Sequence, residues 1–187
     1  MRHTLAALAL ATLSVSAMAA DSYAIDPAHT YPHFAISHLG FSTMHGRFNS
    51  TTGKIVMDRK GTGSSVEVKI EAKSIDTGFQ KRDDHLRSAD FLNVAEFPEI
   101  TYKSTKVTFS GESAATVEGT LTMAGVTKPV TLNVGHIKCA VNPQSKKDVC
   151  GFDATAKIKR SDFGVKYALP NIGDDMDLTF EVEAIKG

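Results

Sequence analysis

Near the C-terminus the chain reads Asp177-Leu178-Thr179-Phe180-Glu181-Val182-Glu183-Ala184. In an extended backbone Leu178, Phe180, Val182 and Ala184 fall on one side, and Asp177, Thr179, Glu181 and Glu183 on the other. A helix would scatter the same residues around its axis, so the period of two identifies a strand with one apolar and one solvated face. The pattern recurs upstream. Val66, Val68, Ile70 and Ala72 oppose Glu67, Lys69 and Glu71, while Phe152, Ala154, Ala156 and Ile158 oppose Asp153, Thr155, Lys157 and Lys159. Shorter versions span 100–103, 117–123 and 130–134. Strands wet on one face belong to antiparallel sheets. Turn signals at Thr52-Gly53, Gly61-Thr62-Gly63, Ser110-Gly111, Gly125 and Asn142-Pro143 separate them. That spacing suits a single all-β barrel or sandwich of about eight to ten strands.

One segment breaks the alternation. Thr77-Gly78-Phe79-Gln80 has the form of a capping box. Lys81 to Val94 contains neither Gly nor Pro, and Pro98 bars continuation. This predicts one inserted helix near residues 79–93. Lys81, Arg82, Asp83, Asp84 and Arg87 would form its solvated face, with Leu86, Ala89, Phe91 and Leu92 as its anchor.

The 187 residues are 42% hydrophobic and 22% charged, which is ordinary for a folded domain. Lys plus Arg and Asp plus Glu each number 21. That balance gives no overall field to attract nucleic acid or an anionic surface. At the N-terminus Arg2 and His3 precede an apolar run from Leu5 to Val15, and Ala17-Met18-Ala19 has the small-x-small form of a cleavage site. Residues 1–19 therefore read as a cleavable signal peptide, leaving 20–187 as the folded domain. The run falls short of the ~20 residues that span a bilayer, and no integral membrane segment follows. In an oxidising compartment Cys139 and Cys150 should close a disulfide across the base of a hairpin.

Chemistry-bearing patterns are sparse. His29, His33, His38, His45 and His85 have spacings that match no metal signature. No G-x-S-x-G elbow is present. No catalytic or metal-binding residue is assigned on these grounds. His38 shares parity with Phe34 and Ile36, so its polar tip could meet a ligand head group.

What remains is apolar content. Phe34, Ile36, Leu39, Phe41, Met44 and Phe48 crowd the first third. Further inward candidates are Ile55, Met57, Val68 and Ile70, then Phe91, Ile100 and Tyr102, then Leu121, Met123 and Leu132, and finally Phe152, Phe180 and Val182. An eight-stranded barrel can be filled by its own side chains or can hold one ligand. Periodicity does not separate the two.

Longer blocks resemble a known family. His29-Thr30, Phe34-x-Ile36-x-His38-Leu39-Gly40-Phe41-Ser42 and Gly46-x-Phe48 are similar to the opening of the YceI-like family. Arg82-Asp83-x-His85-Leu86-Arg87-Ser88-Ala89-Asp90-Phe91-Leu92 and Phe97-Pro98-x-Ile100-Thr101-Tyr102 resemble its next blocks. Gly119-x-Leu121-Thr122-Met123-Ala124-Gly125-Val126-Thr127-Lys128-Pro129-Val130 looks like its central hairpin. Ile158-x-Arg160-Ser161-Asp162-Phe163-Gly164 and Gly173-Asp174 look like its last block. The resemblance implies a periplasmic, lipocalin-like antiparallel barrel of about eight strands. It also implies a hydrophobic tunnel for a long amphiphile: a polyisoprenoid, an isoprenoid quinone such as ubiquinone, or a fatty amide. The inward candidates above would line that tunnel, with His38, His45 and Arg82 as candidates for the head group. The expected partner is thus a small hydrophobic lipid, with no covalent cofactor. Two other readings stay open at this point. One is an enzyme acting on a lipid-like substrate through His38 with Ser42 or Asp90. The other is a solid-core barrel acting only as a partner-binding module or stress chaperone.

Overall fold

The computed structural model describes residues 20–187, so the proposed signal peptide lies outside the described residues. The strands are β1 (Asp21–Ile25), β2 (Tyr31–His38), β3 (Ser42–Phe48), β4 (Thr51–Met57), β5 (Ser65–Glu71) and β6 (Ile75–Asp76). A short helix, α1 (Gln80–Arg87), precedes β7 (Glu99–Ser110), β8 (Ala114–Met123), β9 (Val126–Val141), β10 (Asp148–Lys159) and β11 (Ile172–Lys186).

Eight of these strands form a closed ring in the order β1-β4-β5-β7-β8-β9-β10-β11, with β11 returning to β1. All pairings are antiparallel. The remaining three strands extend the same wall from β11 in the order β2-β3-β6. β1 and β2 both pair with β11, β4 pairs with β1, and β3 pairs with β2. The pieces β1/β2, β3/β4 and β5/β6 are therefore three long strands, each interrupted once. The result is an up-and-down, lipocalin-like barrel of eight long strands in which successive strands are neighbours. Closure removes the exposed edges that an open sheet would present.

The three interruptions lie side by side, and side chains replace the missing ladder rungs. Thr30, almost fully buried, donates its hydroxyl to the Glu183 carbonyl and accepts the Glu183 N–H, both at 3.2 Å. Ser74 accepts the Ser50 N–H at 3.1 Å through its hydroxyl and the Asn49 N–H at 3.1 Å through its carbonyl.

The pleat follows the sequence parity. Ala115, Val117, Leu121 and Met123 of β8 point inward and are buried, as are Ala154, Ala156 and Ile158 of β10. Cys139 and Cys150 face each other in register across β9 and β10 and form the disulfide. A second, smaller apolar cluster gathers beside it: Tyr23, Ile25, Ile55 and Ala184 around Cys150.

The helix differs from its expectation. It ends at Arg87 after 8 residues, and no side chain caps its N-terminus. The carboxylate of Asp83 occupies Thr77 instead, accepting its N–H at 3.0 Å and also its hydroxyl. Asp83 is consequently buried and not part of a solvated face. Ser88 turns extended and donates its hydroxyl to the His85 carbonyl at 2.7 Å, which stops the helix. Ala89, left beyond the end, is exposed, while Leu92 is buried and Leu86 and Phe91 pack against the main core. Arg87 ties α1 to the strands by donating to the Lys73 and Ile75 carbonyls at 2.8 and 2.7 Å.

Candidate functional site

The barrel is hollow. A cavity of about 420 Å³ runs along its interior, within the range of small-molecule pockets. Its lining reaches from Ile172 to Val182 along β11. Ten residues of tilted strand correspond to roughly 25 Å along the barrel axis. The lining comes from every long strand, because each contributes its inward parity. The reading of a solid core is thereby overturned.

Several inward apolar residues are only partly buried although they point away from bulk solvent. Val68, Leu132, Phe152, Leu178 and Phe180 pack against the core on their flanks and line the cavity with the rest of their surface. In an interdigitated interior these residues would be covered by neighbours.

The sequence-selected residues fall as follows. Phe34, Ile36, Met44 and Phe48 line the cavity from β2 and β3. Ile55, Met57, Val68 and Ile70 line it from β4 and β5. Phe91 and Ile100, with Tyr102, Leu121 and Met123, carry the lining through the next wall. Leu132, Phe152 and Phe180 complete it. Phe41 is the exception and is corrected here. It is 89% exposed in the turn between β2 and β3 and takes no part in the lining. Met44, Gly46 and Phe48 fix the inward parity of β3, and Phe41 has the opposite parity.

His38, His45 and Arg82 all border the cavity at the α1 end. Arg82 forms no ion pair with a neighbouring Asp. Its Nε donates to the Thr77 hydroxyl and its Nη2 to the Thr77 carbonyl, both at 2.7 Å. His85, Phe91 and Tyr167 form an aromatic cluster at the same end, with ring centroids 5.0–5.2 Å apart. Neither pair invoked for catalysis is hydrogen-bonded, although His38 and Ser42 are register partners across β2 and β3. Ser42 is outside the lining, and Asp90 contacts His85 at 2.8 Å.

Sequence reasoning missed three polar groups in the wall. Arg160, only 3% exposed, donates to the carbonyls of Val165, Ile172 and Gly173 at 2.7–3.0 Å and so braces the connection into β11. Burial draws its pKa down, opposed by nearby Asp174, yet a guanidinium keeps its charge. The signal was available, because Arg160 continues the inward series of Phe152, Ala154, Ala156 and Ile158. Thr30 and Thr51 are the other two, each 1% exposed. Thr51 Oγ1 has no hydrogen-bond partner and belongs to a residue lining the cavity. Among the inward residues expected from the sequence, His38 is polar, as is Tyr102. Its hydroxyl lies 2.9 and 3.1 Å from the Val117 and Val130 carbonyls, and burial pushes its pKa to about 12. Gly119 makes room for it, since a Cβ there would sit 2.5 Å from the phenolic oxygen.

Comparison with known proteins bears on this geometry. The model of the YceI-like domain matches residues 23–184. UPF0312 protein PA0423 of Pseudomonas aeruginosa is 41% identical, over 100% of this chain and 99% of the relative. The crystal structure of a Campylobacter jejuni YceI protein superposes with a TM-score of 0.71 at 32% identity, covering 81% of this chain and 90% of the other. A polyisoprenoid binding domain from Saccharophagus degradans superposes with a TM-score of 0.65 at 18% identity, covering 88% of this chain and 98% of that one. At that identity the likeness is one of fold.

Proposed function

Since the chain belongs to the YceI-like family, and its barrel encloses an apolar cavity, we propose that it binds one long-chain amphiphile as a carrier or sequestering protein. The ligand class is a long amphiphilic lipid: a polyisoprenoid, an isoprenoid quinone such as ubiquinone, or a fatty amide of similar length. The site of action is the periplasm, reached through the signal peptide of residues 1–19. The protein acts by binding and catalyses no reaction. The observation that carries this reading is the continuous apolar lining over the length of the barrel. The polyisoprenoid-binding neighbour from Saccharophagus degradans supports the ligand class.

The energetics fit. A chain that buries about 500 Å² of apolar surface gains roughly 12 kcal/mol at about 25 cal/mol per Å². Lost translational freedom and tail ordering remove much of that, leaving micromolar to nanomolar binding. An apolar wall has no means of counting isoprene units, so tail length is read loosely. Selection falls to polar groups at the α1 end, where His38 and Arg82 face the head group and His45, of outward parity on β3, borders it from the exposed side.

Protein purified from its own cells and extracted into organic solvent tests the proposal. Mass spectrometry should find about one long-chain lipid per chain. A clean extract, together with no uptake of added ubiquinone, overturns it.

A further inference from the structure

Alternate connections of an up-and-down barrel lie at the same end. The β2–β3 turn, the 77–98 segment with α1 and the 160–171 connection therefore share one end with the head-group candidates. Five large hydrophobic side chains are exposed among the described residues: Leu39, Phe41, Phe79, Val141 and Tyr167. Four of the five are on those three connections. Leu39 and Phe41 flank Gly40 in the turn, Phe79 precedes α1, and Tyr167 follows β10. The turn and the 160–171 connection touch directly, with the Leu39 N–H donating to the Asn171 carbonyl at 2.9 Å. Tyr167 both lines the cavity and is 48% exposed, so the apolar rim is continuous with the apolar interior.

Local stability does not account for these side chains. Leu39 has φ of 55°, a left-handed conformation that is unfavourable for a residue with a Cβ. It remains 49% exposed there, and Phe41 is 89% exposed, so packing returns little. Carboxylates are also missing beside most of the apolar tips, although the whole chain is balanced. From Pro27 to Met57 and from Phe163 to Gly173 there is no Asp or Glu. On the third connection Asp83 is buried against Thr77, Asp84 pairs with Arg87, Asp90 with His85, and Glu96 accepts from the Asn93 side chain at 2.8 Å; Asp162, before Phe163, is exposed. Lys81 and Lys166, near Phe79 and Tyr167, form no salt bridge among the described residues.

We propose that this rim docks the barrel on the surface of a lipid bilayer, with Leu39, Phe41, Phe79 and Tyr167 inserted among the head groups and the cavity mouth turned toward the membrane. The inference rests on the cavity being a lipid site. It adds how a guest insoluble in water passes between bilayer and barrel. Separate apolar tips on three loops suit a fluid interface, whereas a protein partner requires about 800 Å² of one complementary face. Aromatic tips with adjacent cations match the head-group zone of an anionic bilayer.

All strands pair within residues 20–187, so this barrel can be used without the first nineteen residues, whose apolar run would itself bind lipid. Flotation with vesicles of phosphatidylethanolamine and phosphatidylglycerol at 3:1 should carry the protein upward. Phe41→Ser with Leu39→Asn should lower partitioning roughly tenfold or more, at about a factor of ten per 1.4 kcal/mol of lost burial. The melting temperature and the uptake of detergent-dispersed ubiquinone should not change. Val141→Ser, at the opposite end, should float like the parent. A parent protein that stays with the soluble fraction overturns the proposal, as does a double variant that floats undiminished. A dimer in light scattering that Phe41→Ser dissolves also overturns it, since the rim would then serve a second copy. Ubiquinone uptake is measured without vesicles, so failure of docking and failure of the lipid site are read separately.

Discussion

The two ends of the barrel are built from the same alternating strands yet do opposite things. At the base, β1 closes on β11, and the cluster of Tyr23, Ile25 and Ile55 packs around a disulfide whose Cys150 has no exposure at all. The base loops are polar, with Asp58, Arg59, Lys60, Glu112, Lys146 and Lys147. At the α1 end the cavity meets an apolar rim at Tyr167, and short hydrogen bonds from Arg82, Arg87 and Arg160 hold the connections in place. Covalent and close-packed order at one end allows looser, side-chain-dependent order at the other. Proteins commonly place binding segments in their less stable regions.

Four variants break or sharpen this contrast. The largest effect is expected from Arg160→Ala. It strands three carbonyls in a dry wall and should cost about 3 kcal/mol or more, read as a fall in denaturation midpoint. Hydrogen exchange should quicken first in the 160–173 connection and leave the disulfide hairpin protected. Replacing both Cys139 and Cys150 by Ala should cost roughly 2–3 kcal/mol through the freed denatured chain. Affinity for ubiquinone should hold, because the base does not select the ligand; a tenfold loss of affinity would show that the ends are coupled. The smallest effect comes from adding bulk. Ala184→Leu, in the packed base and outside the cavity lining, should cost roughly 1–3 kcal/mol by overpacking. Phe180→Trp, whose side chain faces the void, should leave stability within about 1 kcal/mol and abolish lipid uptake. Equal costs at both positions in chemical denaturation would erase the distinction between a filled and a hollow region.

Much of the wall was legible in the sequence, because side-chain parity survives any bending of a strand. Val66, Val68 and Ile70 and the series from Phe152 to Ile158 face inward as their alternation predicts. Phe41 was misplaced because hydrophobicity outweighed parity; Phe34, Ile36 and Met44, on the two sides of the turn, share one parity that Phe41 lacks. The helix was overextended because an absence of Gly and Pro does not detect Ser88 turning its hydroxyl onto a carbonyl. Asp83 and Arg82 read as surface charges, since their partner Thr77 is fixed only by the tertiary path of the chain. The hollow was not legible. Alternation reports which face is apolar and is silent on whether the opposite wall reaches across to meet it.

The row of interruptions at residues 26–30, 49–50 and 72–74 divides part of the wall into two panels. The lower panel is ladder-bonded on both margins, to β11 and to β7. The upper panel of β2, β3 and β6 is ladder-bonded on one margin only, and its β6 margin leans on α1 through Arg87. A thicker guest can therefore be accommodated by shifting a few side-chain tethers along one seam, without unzipping a single pair of strands.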